Sequence, residues 1–109
     1  MNLHLPDAVH GYFEISNGGD VSRLASCFCV DATVFDENRT HEGIEAIEAW
    51  QHEARRAFTY QVQPLQATHE GNQLIVTARL AGNFPGSPVT LNHVFGLADG
   101  RICSLEIAP

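Results

Sequence analysis

The chain has 109 residues, 44% of them hydrophobic, and its 13 acidic residues outnumber the six basic ones, so the formal net charge is −7. That length predicts a single domain over residues 1–109, and the acidic balance argues against a nucleic-acid partner, because phosphate contacts need a basic surface. All six basic residues are arginines, which excludes mechanisms that need a lysine, such as Schiff-base chemistry and a P-loop.

No apolar run is long enough to cross a membrane, and residues 1–6 lack the basic and apolar regions of a secretory signal. We therefore expect a cytoplasmic protein without a membrane partner. We also expect no metal and no other cofactor, since neither a zinc-binding helix motif nor a dinucleotide-binding glycine pattern occurs.

Two helices are predicted at the start of the chain. The first begins at Pro6, continues through apolar residues at helical spacing, and ends at residues 17–19 (Asn-Gly-Gly). Asp20 caps the second helix, in which apolar residues recur at helical spacing over residues 21–28.

A short strand is predicted over residues 32–36, because Val34 and Phe35 are residue types that strands prefer. A polar loop over residues 37–42 leads to Gly43. A third helix of about fourteen residues follows this glycine. The first half of the chain is thus predicted to be mainly helical, with one strand in it.

Four strands are predicted in the second half, over residues 59–69, 73–84, 89–98 and 101–107. Pro64 favours an edge position or a bulge for the first of them. Helices followed by a succession of antiparallel strands define an α+β fold, with a sheet and helices gathered on one of its faces.

The strand over residues 89–98 carries apolar residues on both faces. Side chains alternate along a strand, so His93 and Phe95 share one face while Asn92 and Val94 lie on the other. We therefore interpret His93 as an interface or core residue. A sheet with helices on one side is usually polar on the other, so we expect a second copy of the chain to cover the outer sheet face and form a homodimer.

Asp36 is a candidate catalytic residue. It closes the predicted strand 32–36 and shares a strand face with Ala32 and Val34. If that face is buried, the pKa of Asp36 is raised and the carboxylate becomes a useful general base. The alternative is a solvated carboxylate in a turn, because the polar Glu37 follows directly.

The three cysteines, Cys27, Cys29 and Cys103, are interpreted as buried free thiols. The spacing of the first two suits neither a disulfide between them nor a CxxC site, and all three lie among apolar residues. A reactive thiol is the alternative, with Arg101 near Cys103 as the only neighbouring cation.

The order of elements resembles the nuclear-transport-factor-2-like (NTF2-like) fold, also called SnoaL-like, to which the bacterial ketosteroid isomerases and polyketide cyclases belong. The resemblance is carried by residues 17–20 (Asn-Gly-Gly-Asp), 31–34 (Asp-Ala-Thr-Val) and 43–47 (Gly-Ile-Glu-Ala-Ile). It implies a cone-shaped fold in which three N-terminal helices pack on a curved, mostly antiparallel sheet with a pocket in its open end. It also implies a dimer through the outer sheet face.

The resemblance is closest to the site of the ketosteroid isomerases and implies three catalytic residues. Tyr12 lies eight positions before Asp20, Asp36 closes an Asp-Ala-Thr-Val-x-Asp stretch, and Asn92 precedes a His where the isomerases have a protonated Asp. The implied roles are general base for Asp36 and oxyanion donors for Tyr12 and Asn92, whose amide donates without any pKa shift. The candidates for an apolar substrate-binding wall are Val34, Trp50, Phe58 and Val94.

If the protein is an enzyme, these residues predict a cofactor-free isomerase or cyclase of small apolar carbonyl compounds, ketosteroid-isomerase-like or polyketide-cyclase-like. The alternative is a non-catalytic NTF2-like protein that binds an apolar small molecule in its pocket. The missing second carboxylate and the short loop after Asp36 favour that alternative. The identity of the substrate stays open.

Overall fold

The computed structural model describes residues 4–109, so the first half of the segment considered above as a secretory signal lies outside the described residues. The helices are α1 (Asp7–Ser16), α2 (Leu24–Cys27) and α3 (Ile44–Ala57), with a 3-10 helix (Val21–Arg23) before α2. The strands are β1 (Phe28–Asp36), β2 (Arg39–Glu42), β3 (Tyr60–Glu70), β4 (Gln73–Gly82), β5 (Val89–Ala98) and β6 (Arg101–Ala108). Within residues 4–109, no helix is both long and apolar enough to cross a membrane.

The six strands form one mixed sheet in the order β2-β1-β6-β5-β4-β3. Strands β3 to β6 make the antiparallel succession that the sequence predicts. β1 pairs in parallel with β6 and antiparallel with β2. The parallel pairing brings the first strand of the chain against the last one, and the architecture is α+β as predicted.

Two local elements differ from the predictions. The second helix is a 3-10 turn followed by a single α turn, and Phe28 begins β1 instead of ending that helix. Phe28 is 1% exposed, and a buried residue at this spacing suits a helix and a strand equally well, so periodicity could not decide between them. The predicted loop over residues 37–42 contains β2, because Glu37 and Asn38 take positive φ angles of 52° and 62°, as a tight hairpin turn requires.

Other elements agree closely with the sequence patterns. β3 is an edge strand, and its register with β4 shifts between Pro64 and Gln66, as expected for a proline within a strand. α3 has 14 residues, and Gly43 precedes it with a φ of 87°, a conformation that glycine adopts without strain. The N–H of Gly43 donates to the carbonyl of Ala32 at 2.8 Å, which ties the start of α3 to β1.

The hydrophobic core lies between the helices and the inner face of the sheet. Each strand exposes alternate residues to it, so Leu74 and Val76 of β4 and Phe95 of β5 are at most 1% exposed. The helices contribute Ile15 and Leu24, both fully buried. Apolar side chains therefore surround the base of the cavity described below.

Cys29 and Cys103 form a disulfide, so the prediction of three free thiols is wrong for these two residues. The parallel pairing of Phe28 with Ile102 places the residues that follow them side by side, with 5.1 Å between the Cα atoms of the two cysteines. The two residues are 74 positions apart, which is why local spacing could not reveal the pair. Cys27 is a free, buried thiol, and burial raises its pKa.

Asn17 connects the end of α1 to the edge strand β3. Its Oδ1 accepts a hydrogen bond from the N–H of Val62 at 2.7 Å, and its Nδ2 donates to the carbonyl of Val62 at 2.9 Å. These bonds satisfy both backbone groups of Val62 on the free edge of the sheet. They also hold the part of β3 that forms one wall of the cavity.

We predict that Asn17→Ala lowers the free energy of unfolding by about 1–3 kcal/mol, because the partly buried backbone groups of Val62 lose their partners. Urea unfolding followed by circular dichroism measures the change. Asn72→Ala, in the exposed turn between β3 and β4, is the control and should change stability by less than about 0.5 kcal/mol. Equal losses of stability in the two variants would contradict a stabilising role for the hydrogen bonds between Asn17 and Val62.

Candidate active site

A cavity of about 480 Å³ lies between α1, α3 and the inner face of the sheet. This volume is within the usual range for small-molecule sites. Its walls are mainly apolar and aromatic, which lowers the local dielectric and strengthens any hydrogen bond made inside. The large apolar residues that line it are Trp50, Phe58, Leu80, Phe84, Leu91 and Ile107.

Asp36 is the carboxylate of this cavity. It is the last residue of β1, and it faces the cavity lining while the preceding Phe35 points outward and is 39% exposed. Burial raises the pKa of Asp36 above its ordinary value, and the indole of Trp50 partly opposes this rise. The Trp50 Nε1 donates to Asp36 Oδ2 at 3.2 Å. The cavity therefore holds a carboxylate that is oriented by one donor and poorly solvated.

Tyr12 lies on α1 within the same cavity lining and is 3% exposed. Burial raises the pKa of its hydroxyl above the ordinary value, the neighbouring Ser16 opposes this effect, and the charge of Asp36 adds to the rise. The rings of Tyr12 and Trp50 are nearly parallel, with centroids 6.4 Å apart. Trp50 thus lies next to both Tyr12 and Asp36 in the cavity lining, and Tyr12 stays a protonated donor at neutral pH.

The structure does not bring Asn92 to the cavity. Asn92 lies on the outer face of β5, where its Oδ1 accepts a hydrogen bond from Thr77 Oγ1 at 2.9 Å. Side chains alternate along a strand, so its neighbours Leu91 and His93 face inward and line the cavity instead. The geometry therefore gives Asn92 no part in an oxyanion site, contrary to the role that the sequence resemblance implied.

Of the four residues expected in the substrate-binding wall, two line the cavity and two do not. Trp50 and Phe58 line the cavity. Val34 is fully buried in the hydrophobic core, and Val94 lies on the outer sheet face with Asn92, paired with Ile75 of β4. Neither valine is part of the cavity lining, because Val34 lies deeper in the core and Val94 points the opposite way.

His93, which the sequence analysis interprets as an interface or core residue, lines the cavity. It is 2% exposed, and burial lowers its pKa to about 4, with the backbone of Leu91 opposing the shift weakly. Its imidazole is therefore neutral at neutral pH. Within residues 4–109, the Nδ1 atom of His93 is the one buried side-chain nitrogen or oxygen without a hydrogen-bond partner. The alternation of β5 was the available signal, since His93 shares its face with Phe95.

Tyr60 and Gln51 form a second polar group in the lining. Gln51 is 1% exposed, and its Nε2 donates to the hydroxyl oxygen of Tyr60 at 3.3 Å. Burial raises the pKa of Tyr60, and the bond from Gln51 opposes that rise. The sequence offered little signal for this pair, because a glutamine on the inner side of a helix is not distinguished by spacing alone.

The charged groups of the lining are acidic. Asp36 and Glu37 belong to it, and none of the described lining residues is an arginine or lysine. A cavity of this kind favours a neutral or cationic ligand over an anionic one. Among residues 4–109, no group of three or more His, Cys, Asp or Glu residues could hold a metal ion.

Several solved structures share this architecture. A candidate polyketide cyclase from Sinorhizobium meliloti is 44% identical, with a TM-score of 0.90 over 94% of each chain. A protein with a ketosteroid isomerase-like fold from Catenulispora acidiphila, crystallised with trimethylamine, is 19% identical, with a TM-score of 0.84 over 97% of this chain and 87% of that one. SalBIII, an epoxide hydrolase/cyclase-like enzyme of pyran ring formation in salinomycin, is 21% identical, with a TM-score of 0.80 over 94% and 87% of the two chains.

These similarities define an NTF2-like fold, a class of small α+β domain. The SnoaL-like domain matches residues 9–105, and the chain therefore belongs to the SnoaL-like family, as its sequence motifs indicate. Among curated proteins, no sequence matches the chain. Because this fold carries many activities, the role of each residue must come from the site itself.

Asp36 should reduce stability at neutral pH. Its folded-state pKa is raised above the ordinary value of 3.8, so the folded protein binds the proton more tightly than the unfolded chain does. The ionised carboxylate therefore costs free energy above the folded-state pKa, and this cost disappears as the pH falls to the unfolded-state pKa. Within that window, stability decreases as the pH rises.

We predict that Asp36→Asn is more stable than the wild type at neutral pH and that the difference narrows as the pH approaches about 4. The amide oxygen of the variant can still accept from Trp50, so the comparison removes mainly the charge. Urea unfolding at a series of pH values measures this difference. Asp31→Asn, which removes an exposed carboxylate of the same strand, is the matched control. A less stable Asp36→Asn protein at neutral pH would contradict the prediction.

Proposed function

We propose that the protein is a cofactor-free isomerase or cyclase that acts, within a single domain, on a small apolar carbonyl compound. Asp36 is the general base, and Tyr12 donates a hydrogen bond to the oxygen that becomes negatively charged. The observation that carries the proposal is the position of the partly buried Asp36 carboxylate and the Tyr12 hydroxyl on one apolar cavity. Trp50 is a positioning residue, because it holds Asp36 without contacting the substrate carbonyl in this scheme.

The chemistry is proton transfer beside a carbonyl. Asp36 removes a proton from the carbon next to the carbonyl, and the electron pair of the broken C–H bond moves into an enolate whose charge lies on the oxygen. Tyr12 stabilises this oxygen. A donor of this kind lowers the activation barrier by about 3 kcal/mol in a water-poor site. Protonated Asp36 then returns the proton to another carbon, or the enolate carbon attacks a second carbonyl to close a ring, and the alkoxide oxygen that forms takes the proton from Asp36.

The similar proteins support this class of reaction. The relative from Sinorhizobium meliloti that is 44% identical is a candidate polyketide cyclase, and ring closure by a cyclase begins with the same enolate. SalBIII, an epoxide hydrolase/cyclase-like enzyme in pyran ring formation, is 21% identical and supports the shared fold only. Isomerase and cyclase need the same base and oxyanion donor, and they differ in which carbon the enolate meets next.

A second candidate function is ligand binding without chemistry. The cavity combines aromatic walls, two acidic residues and no cation among its described lining residues. Aromatic rings and a carboxylate together attract an alkylammonium group, and the Catenulispora acidiphila relative was crystallised with trimethylamine. In this case Asp36 is a counter-ion, and its ionised form is stabilised by the ligand.

Deuterium exchange separates the two functions. We predict that the wild type accelerates exchange of the protons beside the carbonyl of 3-cyclohexenone or 2-tetralone in heavy water. Asp36→Asn should slow that exchange by a factor of about 10²–10⁴, and Tyr12→Phe by about 10²–10³. Proton NMR measures the exchange rates. Asp31→Asn is the control and should match the wild type. Equal exchange with wild type and Asp36→Asn would remove Asp36 from the mechanism and leave the binding function.

We also propose that the protein is a homodimer through the outer sheet face. Ile75 and Val94 are paired on neighbouring strands of that face, and a partner would remove both from water. Val94→Glu should produce a monomer in light scattering, because it places a charge at the centre of the interface. Leu65→Glu on the exposed edge strand is the control and should keep the mass of the wild type. The cytoplasmic location stays a prediction from the sequence.

A further inference from the structure

A smaller cavity of about 190 Å³ lies beside the main one. Ser16, Phe58 and Tyr60 line both cavities, so the two are neighbours that share a wall. The volume of the smaller cavity is below the usual range for a complete small-molecule site. It has the size of a subsite for one end of a ligand whose main part lies in the larger cavity, next to Asp36.

Arg55, in the last turn of α3, is the charged residue of the smaller cavity. Its Nη1 donates to the carbonyl of Gly19 at 2.8 Å, which holds the partly buried guanidinium against the turn after α1. A guanidinium has several N–H donors, so this bond leaves others for a further acceptor. In the described part of the chain, no carboxylate lies within ion-pair distance of Arg55. The smaller cavity thus offers a positioned cation without an anionic partner.

The adjacent Arg56 shows the ordinary arrangement of a cation at the end of a helix. It is exposed and forms an ion pair with Glu53 of the same helix. The helix dipole favours a cation at both positions, so the dipole does not explain the difference between the two arginines. They differ in surroundings, because Arg55 lines a cavity and Arg56 lies in solvent.

Tyr60 lies between the two charges. Burial raises the pKa of its hydroxyl, and the bond from Gln51 opposes that rise. The positive charge of Arg55 also lowers this pKa, while the negative charge of Asp36 raises it. Tyr60 is therefore close enough to feel both groups, and its side chain lines both cavities. A ligand that extends from Asp36 to Arg55 would pass this side chain.

We propose that the smaller cavity binds a carboxylate through Arg55, so that the ligand is an oxo acid: an apolar carbonyl compound with a carboxylate at its other end. The inference deepens the proposed function and rests on it for the carbonyl group. A planar guanidinium matches a carboxylate through two parallel hydrogen bonds. The acidic lining of the main cavity disfavours an anion there. The two cavities together therefore orient an oxo acid in one direction, with its carbonyl group toward Asp36.

Acids and their isosteric amides test the contact. The acids 4-oxo-4-phenylbutanoate, 5-oxo-5-phenylpentanoate and 6-oxo-6-phenylhexanoate place a carboxylate at increasing distances from an aryl ketone, and their amides keep the shape without the charge. The chain has a formal net charge of −7, which repels an acid unless a local cation binds it. NMR titration of the wild type should show at least one acid binding about five- to tenfold more tightly than its amide. This ratio lies between the values of an exposed ion pair and a buried charged hydrogen bond.

Arg55→Gln should abolish the preference for the acid, while the amide keeps its affinity within about twofold and so shows that the variant is folded. Arg56→Gln is the matched control, because it removes the same charge from the adjacent residue, and it should keep the preference of the wild type. Arg55→Lys retains the charge without the planar fork and should retain part of the preference.

A further readout needs no variant. In the wild type, the Nε–H signal of Arg55 should shift on adding the preferred acid and not on adding its amide. A wild type that prefers none of the three acids, or an Arg55→Gln protein with an unchanged preference, would overturn the proposal. Equal losses in Arg55→Gln and Arg56→Gln would also overturn it, because they would reflect the overall charge instead of a contact.

The outcome is independent of proton transfer by Asp36. Binding of an acid needs no base, so a lost preference in Arg55→Gln supports the carboxylate subsite even if Asp36→Asn exchanges protons as fast as the wild type. In that case the proposed function fails and the subsite stands. If exchange depends on Asp36 while the acid preference does not depend on Arg55, the proposed function stands and this inference fails.

Discussion

The parallel pairing of β1 with β6 is the contact on which the cavity depends. It aligns Val34 with Leu105, both at most 1% exposed, and so joins the first strand to the last one through the hydrophobic core. The same register carries Asp36, two residues beyond Val34, to the level of Ile107, and both side chains line the cavity. α3 is tied to β1 through Gly43, which brings Trp50 within hydrogen-bond distance of Asp36.

Three side chains of the cavity lower the stability of the folded protein. Asp36, Tyr12 and His93 are each held in a place where burial disfavours the charged form of the side chain. The apolar core around them compensates for that cost. Groups in such surroundings are what proton transfer at neutral pH needs, because a poorly solvated carboxylate is a stronger base and a protonated hydroxyl is a ready donor. Two of these three groups, Asp36 and Tyr12, are those that the proposed reaction uses.

Much of this architecture was visible in the sequence. The boundaries of α3 and β5 and the irregularity at Pro64 follow from local patterns, since helix spacing, strand alternation and proline chemistry act over a few residues. β2 was missed because its four residues, Arg39–Glu42, include no apolar residue, and its formation depends on pairing with β1. The disulfide between Cys29 and Cys103 depends on contacts 74 residues apart, which no local pattern contains.

The residues of the candidate site also differ in how well the sequence predicted them. Asp36 and Tyr12, which lie in recognisable motifs, both line the cavity, whereas Asn92, which the resemblance to the isomerases implied, does not. A shift of one residue exchanges the two faces of a strand, so a motif match that is correct to within one position can select a side chain on the outer face. The residues of β5 contained the better guide: Leu91, His93 and Phe95 form the more apolar face, and the core requires that face to point inward.

The charge of the ligand is what separates catalysis from simple binding. A buried carboxylate without a cationic partner is a net cost to a binding protein, and an alkylammonium ligand is the compensation that would maintain it. For a neutral ketone, the same carboxylate contributes little to binding in the ground state and acts only as the C–H bond breaks. The protonated hydroxyl of Tyr12 is the donor that the proposed reaction needs for its carbonyl oxygen, whereas an ammonium ion would use the aromatic faces of the same cavity. The proposed enolate would thus use Asp36 together with the Tyr12 hydroxyl, whereas an ammonium ion would use Asp36 together with the aromatic walls.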